Sequence, residues 1–196
     1  MEPIEIVAQV VSILAMALNI ISYQNKSQRA VITFQLFGGA LFAVSFGLLG
    51  SWMGLMLNVV AAVRAVVYRY RERLHAAHIL WLLGFVALYL LCYFATFAWF
   101  GTEQTPVNFI VEILPVIGMT ASNISFRMRS ARAIRFLGLV SSPCWLAYNI
   151  VAGSVGAILC EVISLVSIAV GILRFDISRK QEIKCKEQAD GTTRIG

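Results

Sequence analysis

Seven apolar stretches, each near twenty residues and almost free of charge, run the length of this chain and leave little choice of fold. A helix rising about 1.5 Å per residue needs about 20 apolar residues to cross a hydrocarbon core about 30 Å thick. Only 13% of the residues are charged, against roughly 25% in a soluble domain. The reading is an all-α polytopic membrane protein. Helices are expected over 4–23, 30–49, 52–70, 78–100, 107–126, 133–151 and 154–174. The first is not expected to be a cleavable signal peptide, because it opens on Glu2 and Glu5 rather than a basic segment. The tail from Asp176 to Gly196 is polar and of mixed charge, as poorly ordered ends are.

Seven spans also sort the charge. Lys26 and Arg29 fall between helices 1 and 2. Arg64, Arg69, Arg71 and Arg73 fall near the join of helices 3 and 4, and Arg127, Arg129, Arg132 and Arg135 between helices 5 and 6. The remaining basic residues, from Arg174 to Arg194, follow helix 7, which places all 16 on one side of the membrane. The connections at Leu49–Ser51, Phe100–Pro106 and Ala152–Ser154 carry none. Because basic loops stay cytoplasmic, the N-terminus is expected outside and the C-terminus inside. The net charge of +6 then reflects topology and contact with anionic lipid. It does not mark a nucleic-acid site, since no aromatic-basic platform accompanies the arginines.

The connections repeat as well. Lys26-Ser-Gln-Arg-Ala-Val31 aligns with Arg129-Ser-Ala-Arg-Ala-Ile134 at an offset of 103 residues. The same offset carries Pro3 onto Pro106, Met16 onto Met119, Gly50-Ser51 onto Gly153-Ser154, and Arg71 onto Arg174. Fixed-period similarity of this kind indicates internal duplication. Each unit holds three helices, an odd number, so one linking span between them makes the two copies parallel. The expected division is 1–74 for the first three-helix repeat, 75–103 for linking helix 4, 104–175 for the second repeat, and 176–196 for a cytoplasmic tail.

This 3+1+3 layout resembles the SWEET sugar transporters, their half-size bacterial relatives, the PQ-loop proteins and the PnuC vitamin transporters. Phe46-Gly-Leu-Leu-Gly50, with Gly54, Asn58 and Arg64, resembles more narrowly the YgjV-type bacterial inner membrane family. The resemblance implies architecture and supplies no substrate. Two departures stand out. The Pro-Gln pair of the PQ-loop group is missing, its places reading Ser12-Ile13 and Pro115-Val116. The hinge prolines found in both repeats of SWEET-like proteins remain here only as Pro115 and Pro143. A proline within a helix removes a backbone bond and permits bending, or sets a static kink.

Polar groups at membrane depth are the candidates for chemistry. The offset pairs Asn58 of helix 3 with Glu161 of helix 7, and Gln9 of helix 1 with Glu112 of helix 5. A carboxylate at mid-span costs about 2.5–3.5 kcal/mol on insertion scales, so Glu161 is expected to face an interior cavity or to hold a proton. Gln9, Ser12, Met16 and Asn19 share one helical face, and Glu112, Pro115, Met119 and Ser122 repeat that pattern. Such residues either line a passage or bind helices together at about 0.6 kcal/mol each. Trp145 and Phe42 are matched aromatics, able to stack on a ring-shaped solute or to serve as packing.

Enzyme chemistry is not expected. His75 and His78 have no second cluster to complete a metal site, and no phosphate loop or serine-nucleophile motif is present. No cofactor or disulfide is expected. The preferred reading is a SWEET-like transporter of a small polar solute, working by alternating access. Asn58, Glu161, Glu112, Trp145 and Gln9 would contact the solute, with Pro115 and Pro143 as hinges. The alternative is a non-transporting receptor or scaffold in the bilayer.

Overall fold

The computed structural model describes residues 2–23, 28–128 and 131–173. Lys26, Arg129, Ser130, Arg174 and the tail lie outside them, and with them parts of the duplicated basic turns. Among the described residues there are seven helices and no strand. They are α1 (Pro3–Tyr23), α2 (Gln28–Leu48), α3 (Trp52–Arg69), α4 (Ile79–Ala98), α5 (Pro106–Met128), α6 (Ala131–Val151) and α7 (Val155–Gly171). Pro3–Ile21, Trp52–Arg69, Ile79–Ala98 and Pro106–Met128 are long and apolar enough to cross a membrane, while Thr33–Leu48 and Val155–Gly171 are shorter apolar helices. Helix α6 is more polar, and for a visible reason: Ser141, Ser142 and Asn149 are buried, while Phe136, Val140, Ile150 and Val151 face outward. The chain is a polytopic membrane protein.

On α1, side-chain size sorts opposite to the habit of soluble proteins. Ala8, Ser12 and Ala15 are fully buried, while Ile4, Val7, Val10 and Leu14 are exposed. Lipid tails solvate large apolar groups as well as a protein core does, so close packing of small residues is what holds such helices together. The tightest approach is at Gly156 of α7. A Cβ there would lie 2.3 Å from the Ser12 backbone of α1.

Six helices close a ring. Helix α1 packs on α2, α2 on α3, α3 on α5, α5 on α6, α6 on α7, and α7 returns to α1. Helix α4 stands outside this ring against α3 and α5. The α1/α7 and α3/α5 seams therefore differ. At the first, Gly156 N–H donates to Ser12 Oγ at 3.1 Å with nothing between the backbones. At the second, α4 braces the pair: Tyr68 Oη donates to Asn123 Oδ1 at 3.0 Å, and Asn123 Nδ2 donates to the Leu82 carbonyl at 3.4 Å.

Local geometry recurs at the 103-residue offset. Gly50 and Gly153 have φ of +70° and +67°, the left-handed region open to glycine. Ser51 N–H donates to the Phe46 carbonyl and Gly50 N–H to Gly47, as Ser154 N–H does to Asn149 and Gly153 N–H to Ile150. Each set is a Schellman stop, which satisfies carbonyls left free at a helix end. The helix crossings match too. A Cβ at Gly38 would lie 3.2 Å from the Ala15 carbonyl, and one at Gly118 would lie 3.1 Å from that of Ser141.

Candidate solute-binding cavity

Inside the ring lies a cavity of about 1880 Å³, lined by residues of α1, α2, α3, α5, α6 and α7. Toward the α2–α3 and α6–α7 turns it is lined by Phe42, Phe46, Trp145 and Asn149, and toward the opposite end, its mouth, by Arg69, Arg71, Arg73 and Arg135. Phe42 and Phe46 have ring centroids 6.3 Å apart, Phe46 and Tyr148 6.0 Å, and Tyr148 and Trp145 5.9 Å. These aromatics form a continuous floor. Below it, Tyr148 Oη accepts from Gly54 N–H at 2.8 Å. That amide is in the first turn of α3, where the helix supplies no carbonyl of its own. The floor is thereby fixed to the start of α3.

Asn58, Glu161 and Trp145 all line the cavity. Asn58 and Glu161 each stand six residues beyond the first residue of their helices, and so at equal depth. Asn58 Nδ2 donates to the Gly54 carbonyl at 2.8 Å, which turns the amide oxygen away from its own helix. Glu161 is half-buried, with Ser142 of α6 as its polar neighbour. Trp145 fits only because position 118 is glycine: a Cβ there would come 2.9 Å from its ring. Asn19, Ser122, Ser164 and Ser167 add to the polar lining.

The other expected contacts lie elsewhere. Gln9 Nε2 donates to the Gly153 carbonyl at 2.7 Å, and Oε1 accepts from Val155 N–H at 2.9 Å. Both polar ends of Gln9 are thus committed to the α6–α7 turn, and the residue acts as a clamp. Ser12 is taken up by the α1/α7 seam. Glu112 does not line the cavity. It is half-buried, and its Oε2 is enclosed without a hydrogen-bond partner among the described residues. Pro115 is fully buried in α5, whereas Pro143 is exposed on α6. Neither is among the lining residues.

Two lining groups escaped the sequence reading. Asn149 is buried at the floor with its Oδ1 unpartnered among the described residues. Arg64, counted above with the basic loop, lies instead within α3 and is 8% exposed. The signal was available: a charged residue stood six positions before the end of a helix expected over 52–70. Its sign suited the orientation argument, and its depth went unread.

The comparisons with known proteins follow this architecture. The model of the family Imp-YgjV, described as bacterial inner membrane protein, matches residues 6–179. The chain belongs to that family. It is 26% identical over 176 residues to the Inner membrane protein YgjV of Escherichia coli (strain K12), covering 90% of this chain and 88% of that one. No solved structure matches it. The Imp-YgjV assignment accounts for the apolar spans and places the chain in the bacterial inner membrane.

Proposed function

We propose that this protein moves a small polar solute across the inner membrane by alternating access, in a SWEET-like manner. The cavity carries the reading: aromatic side chains line one end, arginines line the other, and helices from both halves of the chain wall it. The matched Schellman turns and helix crossings support two parallel three-helix units, 1–74 and 104–175, joined by α4. By the positive-inside rule the arginine-lined end is cytoplasmic. Rocking of α1–α3 against α5–α7 would part the floor and close the mouth. Asn58 and Glu161 would hydrogen-bond the solute at the level where the two units meet.

The test has two stages. Purified protein in detergent is screened by thermal shift against sugars, nucleosides, vitamins and amino acids, and any solute that stabilises it is then followed into proteoliposomes. Saturable uptake that Asn58→Ala weakens supports transport. Binding without uptake assigns the cavity to a receptor. If no solute binds, the transporter reading falls.

A further inference from the structure

Arg64 has no role in the reading above, yet it is the most unusual residue lining the cavity. An arginine at membrane depth is unfavourable by about 2.5–3.5 kcal/mol on insertion scales, and such residues mark pathways or pair with acids. Here no acidic side chain pairs with it among the described residues. Its Nη1 donates to Tyr89 Oη at 3.3 Å and to the Met119 carbonyl at 3.2 Å. The guanidinium carbon lies 5.0 Å from the centre of the Phe126 ring, within the range of a cation–π contact. Nε and Nη2 make no hydrogen bond to any described residue.

Those two nitrogens form one edge of the guanidinium, the edge that matches the paired oxygens of a carboxylate or phosphate. A purely structural arginine bracing α3 to α4 and α5 would leave this edge filled by carbonyls or an acid, because an unpaired buried cation is costly. The surroundings agree. Arg69, Arg71, Arg73 and Arg135 line the same cavity, against Glu72 and Glu161, so its field concentrates anions. Along α3, Arg64 stands six residues from Asn58 toward the mouth, about 9 Å at helical rise. The cavity is therefore basic near its entrance, with Asn58 and Glu161 deeper.

We propose that the solute is a soluble organic anion, its carboxylate or phosphate held by the Nε–Nη2 edge of Arg64 while its polar remainder reaches Asn58 and Glu161. The proposal rests on the central cavity being the binding site and adds the class of substrate.

Matched probes separate the two claims. Benzoate is compared with benzamide, and ribose 5-phosphate with ribose, by thermal shift and by calorimetry on the whole protein in detergent. The expected result is that at least one anion of the pairs binds and its neutral partner binds tenfold or more weakly. Arg64→Gln should remove that preference, and Arg64→Lys should retain part of it without the bidentate geometry. If anion and neutral partner bind equally, and Asn58→Ala weakens both, the cavity stands and the anion class is overturned. If only neutral solutes of the wider screen bind, the anion class is overturned and the cavity stands; if nothing in either set binds, both fall. Stabilisation by phosphatidylglycerol and by no soluble anion overturns the proposal in favour of a lipid headgroup. The wild-type comparison decides the matter even where an Arg64 variant fails to fold.

Discussion

Glycine at 156 is a requirement of space, because a methyl group there would meet the Ser12 backbone, which cannot swing aside as a side chain can. Overpacking of this kind costs about 1–3 kcal/mol or more. Gly156→Ala is therefore expected to lower the melting temperature clearly in detergent. Gly39→Ala is the control. Nothing lies within 4 Å of a Cβ there, and within a helix alanine gains up to about 1 kcal/mol over glycine. Equal melting temperatures for the two variants would show that α1 and α7 do not touch as described. Glu112 poses the opposite case, a carboxylate oxygen enclosed without a partner. Burying an unsatisfied polar group costs about 1–3 kcal/mol by mutational measure. Glu112→Gln keeps the shape, removes the charge and is expected to raise the melting temperature; a fall would mean that the carboxylate has a partner in the folded protein. At Glu161 the expected effect is on coupling. A carboxylate in a passage can carry a proton with the solute. Glu161→Gln should then abolish accumulation against a gradient while passive exchange continues, as followed in proteoliposomes loaded with a bound probe. Full accumulation by the variant would exclude proton carriage by this residue.

The first turns of α3 and α7 take partners from distant helices, Tyr148 of α6 for one and Gln9 of α1 for the other. Loss of a helix N-terminal cap costs roughly 1 kcal/mol. Gln9→Ala should therefore reduce thermal stability by about that amount while solute affinity stays unchanged, since the residue does not line the cavity. A large loss of affinity would return Gln9 to the solute. Pro143 belongs to the same scale. It deprives the Leu139 carbonyl of its helical partner on the outward face of α6. Sequence reading succeeded best with elements. Apolar length located all seven helices, and Gly50 and Gly153 marked two of the stops. It did less well with faces. The pattern shared by Gln9, Ser12, Met16 and Asn19 is real, but one helical face served two purposes, with Asn19 in the cavity and Gln9 and Ser12 in the seam. Periodicity states which residues point the same way and is silent on what they meet.

For the whole molecule, orientation is the open measurement. Reporter fusions should place residue 3 and residues near 103 outside, with residues near 75 and 185 in the cytoplasm, as the basic loops require. A cytoplasmic N-terminus would reverse the direction in which the cavity opens. The ring itself was not legible in the sequence. Hydropathy counts spans without saying which are neighbours, and Arg64 looked like a loop charge until α4 and α5 were placed around it. Ring closure has a further consequence, for how the protein is made. Gln9 bonds to Gly153 and Val155 across almost the whole described chain. Chains emerge from the ribosome N-terminus first, so α1 is released early and its partner surface on α7 last. Helix α2 covers Ala8 and Ala15 soon after, but Ser12 and Gln9 wait for the α6–α7 turn and the start of α7 with those bonds unmet. A nascent chain stopped before α7 is an open arc, because the α6/α7 and α7/α1 contacts are both missing. The last helix made is the one that closes the ring.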